Sequence, residues 1–178
     1  MTGPSPPAKS CGTCTLCCKL LGITEIEKPA WEWCSHCAPG RGCTIYETRP
    51  PSCREFECQW LCEPELPESL KPERSKVMLT GAAGPILNAY CDPGHPMAWK
   101  REPMYSLLKE RARIHWRGSI AVIARAGLRT WLINHDGETD LGIVDPRSEV
   151  RFEQQRDGRV RAIVLPPAEG SKPAPGYY

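Results

Sequence analysis

The residues able to do chemistry in this chain are its cysteines. Ten of eleven fall between Cys11 and Cys62, opening with Cys11-Gly-Thr-Cys14-Thr-Leu-Cys17-Cys18 and continuing through Cys34-Ser-His-Cys37, Cys43, Cys53, Cys58 and Cys62; only Cys91 stands apart. A two-residue gap lets one tight turn aim both thiolates at a single ion while backbone amides hydrogen-bond the sulfurs. Cys14 and Cys17 followed by Cys34 and Cys37 form C-x2-C-x16-C-x2-C, the spacing of a four-cysteine zinc site, and Cys11 and Cys14 fit equally well with the same second pair. Spacing thus points to metal and leaves the grouping open. If the opening is helical instead, Cys11, Cys14 and Cys18 share one face. Adjacent Cys17 and Cys18 point apart either way, so they serve different ions or one of them is structural.

Sulfur-only ligation suits zinc and iron–sulfur chemistry and disfavours calcium, magnesium or manganese. C-x2-C-x2-C also opens the bacterial ferredoxin run, but the fourth Cys-Pro of that run is missing. The expected cofactor is therefore zinc or iron, the iron as ions or as an iron–sulfur cluster, with the balance slightly toward zinc.

After this opening comes Cys43-Thr-Ile-Tyr-Glu-Thr-Arg-Pro-Pro-Ser-Cys53-Arg-Glu-Phe-Glu-Cys58. Together the two strings resemble the bacterial CxxCxxCC family of zinc- or iron-chelating proteins over about residues 11 to 62, with a weaker likeness at Cys91-Asp-Pro-Gly-His-Pro-Met-Ala-Trp99. The resemblance implies metal chelation through Cys11, Cys14, Cys17, Cys18, Cys37, Cys43, Cys53 and Cys58, with Cys34, Cys62 and Cys91 as additions to the pattern. Flagellin lysine methylases are similar in the cysteine motif, but this chain has no Gly-rich methyl-donor loop.

Four thiolates on a divalent ion carry a net negative charge that buried surroundings tolerate badly without cations or amide donors. Arg49 and Arg54 flank Cys53 and are the sequence's candidates for that task, against the plainer reading of solvated arginines. Tyr46 and Phe56 read first as packing residues, and His36, inside a C-x2-C turn, as pointing outward.

Three other functions can be weighed. Cys34-Ser-His-Cys37 has the form of a thiol-redox motif, but it lies between Trp33 and Ala38-Pro39-Gly40 rather than between a strand and a helix. Lys100, Arg101, Lys109, Arg111, Arg113 and Arg117, with Trp99 and Trp116, could form a metal-stabilised nucleic-acid-binding face. Glu102 and Glu110 interrupt that patch, and a net charge of +2 argues against nucleic acid as a partner. Cys91, Asp92 and His95 could be nucleophile, orienter and base, but Asp-Pro-Gly is also a plain turn. The balance is against an enzyme and for a metal-binding protein whose metal is structural or handled for a client protein.

The elements that must position the cysteines are weakly signalled. Residues 11–62 are broken by Pro29, Pro39-Gly40, Gly42 and Pro50-Pro51 and cannot bury enough apolar surface alone, so metal bonds are expected to supply the missing free energy. That segment follows a disordered start at 1–10 and precedes a Pro-punctuated connector at 63–75. Charge divides the same way, with six Lys/Arg against nine Asp/Glu in residues 1–70 and 17 against 12 in residues 71–178.

Residues 76–165 read as α+β, a small antiparallel sheet with one main helix. Strands are expected at 77–79, 86–90, 120–124, 130–134, 149–154 and 159–165, with turns at Gly81 to Pro85, Gly127, Asp136-Gly137 and Asp157-Gly158. Met104, Leu107, Leu108, Arg111, Ala112 and His115 recur at helical spacing after Pro103 until Gly118. Residues 166–178 read as a flexible tail. The start lacks a signal-peptide pattern and the longest apolar stretch, Ile120 to Ala124, is too short to span a bilayer, so a cytoplasmic, reducing location without a membrane partner is expected.

Overall fold

The computed structural model describes residues 9–81, 86–115 and 118–170. Most of the start at 1–10, the heart of the Gly81 to Pro85 turn, Trp116, Arg117 and the tail beyond residue 170 lie outside the described residues. Those described form a mixed α+β fold.

Through the cysteine segment and the connector that follows it, prolines and turns keep every helix short. Helix α1 spans Leu16–Leu20, α2 Pro51–Glu55, α3 Gln59–Cys62 and α4 Pro72–Ser75, with Pro51 and Pro72 in first turns where their missing N–H costs nothing. A two-residue ladder joins β1, Cys37–Ala38, to β2, Gly42–Cys43, and sets Cys37 opposite Cys43. Leu16 and Leu20 are four residues apart and share one buried face, which leaves Cys17 and Cys18 on the flanks of α1.

The second part is a five-stranded sheet in the order β3-β4-β5-β6-β7. Its strands are β3, Val77–Thr80; β4, Ile86–Cys91; β5, Ala121–Ala126; β6, Arg129–Asn134; and β7, Gly137–Ile143. A separate hairpin pairs β8, Glu149–Gln154, with β9, Val160–Leu165.

The sequence implies an antiparallel sheet throughout, but β4 and β5 run parallel, Ile86 facing Ala121 and Tyr90 facing Arg125. The reason is α5, Met104–Arg113, which carries the chain back across the sheet between them as parallel neighbours require. Strand β7 carries too few apolar residues to register in the pattern and forms by pairing with β6. Helix α5 ends before the periodicity does, since His115 adopts a left-handed φ of 44°.

Side-chain alternation places the central strands between two apolar layers. Val122, Ala124, Trp131 and Ile133 face the main core with Leu87, Trp99, Met104 and Leu108, whereas Ala121, Ile123 and Leu132 pack with Val160 beneath the hairpin. Leu16, Leu20 and Trp60 of the cysteine segment and Leu66 and Leu70 of 63–75 belong to the main core too. The cysteine segment is thus anchored on the sheet by its apolar residues, with Cys58 in the same core and Cys14 and Cys17 packed against it. Among the described residues no helix is long and apolar enough to cross a membrane.

Candidate metal centre

The thiols face one cavity of about 240 Å³, lined by Cys11, Cys14, Cys17, Cys18, Cys34, Cys43, Cys53 and Cys58. Four local devices bring them there. Cys11 and Cys14 lie on a tight turn closed by Cys14 N–H donating to Cys11 C=O at 2.9 Å, with Gly12 at a left-handed φ of 53°. Cys17 and Cys18 follow on α1, so the opening is a turn leading into a helix and not one continuous helix. Cys34 N–H donates to Cys18 C=O at 3.0 Å, which draws the second C-x2-C turn against α1. Cys53 sits in α2, fixed by Ser52, whose N–H and hydroxyl donate to Glu25 Oε1 and Oε2 at 3.1 and 3.0 Å.

Cys37 is not in the cavity wall; it pairs with Cys43 across the β1–β2 ladder, and Cys18 and Thr15 act on its thiol. Its C-x2-C turn runs into β1 and does not open a helix, unlike a thiol-redox motif. Cys62 is exposed and its Sγ donates to Glu57 Oε2 at 3.7 Å. Among the described residues no three Cys, His, Asp or Glu side chains converge on a single ion-sized point. The sulfurs ring a space instead of closing on a centre.

The thiols are electrostatically coupled. Hydrogen bonding from Cys17, then burial, push the Cys18 thiol far up. Burial and the neighbouring Cys18 raise Cys37 to about 11. Burial first, then surrounding thiols, also raises Cys11, Cys53 and Cys58. Crowded, partly desolvated sulfurs cannot all ionise without compensating positive charge. Amide donors supply part of the remedy, since the backbone N–H groups of Leu61 and Trp60 favour the thiolate of Cys58 and that of Leu16 favours Cys14.

Two buried lysines supply more. Lys28, 6% exposed, donates from Nζ to Lys19 C=O at 3.1 Å and to Leu21 C=O, and burial lowers its pKa against the opposing pull of Cys34, Cys18 and Cys17. Lys71, 9% exposed, pairs with Glu73 at 3.0 Å, and its ammonium lies beside the first C-x2-C turn, 3.7 Å from where a Cβ on Gly12 would sit. It acts on Cys11 and Cys14. Neither lysine carries a sequence signal; a buried lysine in an acidic stretch looks like any solvated one until the chain folds.

Of the cations flagged by sequence, Arg49 and Arg54 both line the cavity. Arg49 donates to Tyr46 C=O at 2.5 Å and lies over the Tyr46 ring at 3.8 Å. Tyr46, Phe56 and His36 are also part of the wall. The donor types around the cavity are thus soft sulfurs flanked by amide donors and cations, without a three-donor grouping among the described residues.

The other candidate residues are placed elsewhere. Cys91 is fully buried in the core, its Sγ 3.9 Å from Ala89 C=O, and burial pushes its thiol up to about 12, opposite to what a nucleophile needs. Trp99 is fully buried and has no face free for a base. Lys100 is paired with Glu138, Arg111 with Glu63 at 2.6 Å and Arg113 with Glu110 at 2.6 Å. Comparison with known proteins yields no matching family model, no matching curated protein and no matching solved structure.

Proposed function

We propose that this chain is a cytoplasmic metal-binding protein that chelates zinc or iron through clustered cysteine thiolates, in keeping with its resemblance to the CxxCxxCC family. The observation that carries the reading is the gathering of eight cysteines from separate segments around one cavity. Chance packing of half-buried thiols would scatter them. Disulfide scaffolding is the other way to use so many cysteines, but the cysteines of this cavity form no S–S bond. Metal bonds would also join segments that α1 to α4 are too short to hold on their own.

The test is elemental analysis with a visible spectrum on protein purified without oxygen from cells supplied with both metals. Zinc in a colourless protein supports a structural or zinc-handling role. Iron with acid-labile sulfide and a brown chromophore moves the reading to an iron–sulfur protein. Protein that retains neither metal, with its cysteine segment equally protected from proteolysis before and after chelator treatment, refutes it.

A further inference from the structure

A short hairpin sets two of the cysteines opposite each other. Strand β1 meets β2 with Cys37 facing Cys43 and Ala38 facing Gly42. Arg41 N–H donates to Ala38 C=O at 2.8 Å to close the turn between them, and Gly40 and Gly42 take the positive φ values of 72° and 126° that it needs. On the other side of the cysteine pair, Thr44 N–H donates to His36 C=O at 2.8 Å. The ladder bonds therefore flank Cys37 and Cys43 instead of joining them, which makes theirs a non-hydrogen-bonded antiparallel pair. In such a pair the Cα atoms stand about 4.5 Å apart and the two side chains rise from the same side of the ribbon. A disulfide accepts Cα separations of about 4.4–6.8 Å, so the backbone already meets its requirement. Both thiols are free and partly exposed, open to a reagent from solvent. Cys18 and Cys34 are the rival partners for Cys37, the first because it acts on the same thiol and the second through the C-x2-C turn. Neither is held opposite it by a ladder.

We propose that Cys37 and Cys43 form a redox modification site, closing a reversible disulfide across the β1–β2 ladder when the protein meets a low-molecular-weight disulfide such as oxidised glutathione. One cysteine thiolate attacks the reagent, forming a mixed disulfide and releasing one thiol; the other cysteine then displaces the second. The protein loses two S–H bonds and gains one S–S bond, while the reagent loses its S–S bond and takes up two electrons and both protons as two thiols. In a reducing compartment such a bridge is transient and serves sensing, not scaffolding. Because Cys43 lines the cavity, closing the bridge takes one donor from its wall. The inference does not require a bound metal.

The experiment equilibrates the full chain, as purified and after chelator treatment, in glutathione buffers of rising oxidised fraction. Remaining thiols are then blocked and disulfides are mapped by mass spectrometry of tryptic peptides. Cleavage after Arg41 separates the two cysteines, so the bridge joins two peptides. The expected result is a Cys37–Cys43 link in at least one preparation, reversed by excess reduced glutathione. Cys34→Ser and Cys53→Ser, which remove the other cysteines of those two peptides, should keep the link; Cys37→Ser and Cys43→Ser should abolish it. Cys62→Ser, at an exposed position outside the cavity, is the folding control and should oxidise as the wild type does. Failure of the link to form in either preparation overturns the proposal, whether Cys37 pairs with Cys18 or Cys34 instead, stops at a glutathione adduct or stays a thiol. The metal-binding reading is decided separately, by the metal content of the purified protein.

Discussion

Lys19 Nζ lies 2.7 Å from Asp92 Oδ1, joining α1 of the cysteine segment to the residue that follows β4. Lys19 also sits 5.3 Å from the centre of the Trp33 ring, so the pair is partly shielded from water. Burial alone would raise the Asp92 carboxyl, but the bonds from Lys19 and from Gly94 N–H outweigh it and hold the group below its usual range. A carboxyl depressed in the folded state contributes stability that is present above its unfolded pKa and lost as pH falls through the folded one. Asp92→Asn should therefore cost about 1–2 kcal/mol at neutral pH and nothing once the medium is well below about pH 4, as read by denaturant unfolding across that range.

Lys28 is expected to matter through its charge. Lys28→Met removes a buried cation that acts on Cys17, Cys18 and Cys34, and should weaken metal retention by about 10- to 100-fold in a chelator competition. Lys28→Arg should recover most of it. Equal affinity in wild type and Lys28→Met would show that the lysine only satisfies the carbonyls at the end of α1.

Asn134 holds the outer hairpin onto the sheet. Its Nδ2 donates to Val160 C=O at 3.1 Å and its Oδ1 accepts from Val160 N–H at 2.8 Å, both in a buried setting. Asn134→Ala strands both groups and should destabilise the fold by about 2–4 kcal/mol, with hydrogen exchange in β8 and β9 accelerating ahead of that in β4 and β5.

Glu138 on β7 is approached by Lys100 and by the hydroxyl of Tyr105 on α5. Hydrogen bonding to Glu138, then burial, raise the Tyr105 phenol to about 12. The folded state therefore keeps a proton that the unfolded chain releases near pH 10, and this contribution is fully present below that pH and lost as pH rises toward 12. Ultraviolet titration should show one late-ionising tyrosine on this account, absent in Tyr105→Phe, whose stability should fall less between pH 10 and 12.

Much was legible in the residues themselves. Two-residue gaps between cysteines specify tight turns, and both the Cys11–Cys14 and Cys34–Cys37 turns form. The short apolar runs at 120–124 and 130–134, bounded by turn residues, are those of strands buried on both faces, and the spacing from Met104 onward is that of a helix burying one. The parallel pairing of β4 with β5 escaped because it depends on where α5 returns the chain, and β7 because a polar edge strand is stabilised by its neighbour and not by its own pattern.

For the candidate site, the sequence alone determined the donor type, soft sulfur, and its concentration in one segment between Cys11 and Cys62. Only the tertiary structure decided which thiols meet. It brought Cys11, Cys14, Cys17, Cys18, Cys34, Cys43, Cys53 and Cys58 to the wall of one cavity, left Cys62 at the surface and Cys91 in the core, and buried Lys28 and Lys71. Spacing along a chain fixes only contacts a turn can close; contacts across tens of residues depend on how Leu16, Leu20 and Trp60 dock on the sheet and turn the remaining faces inward.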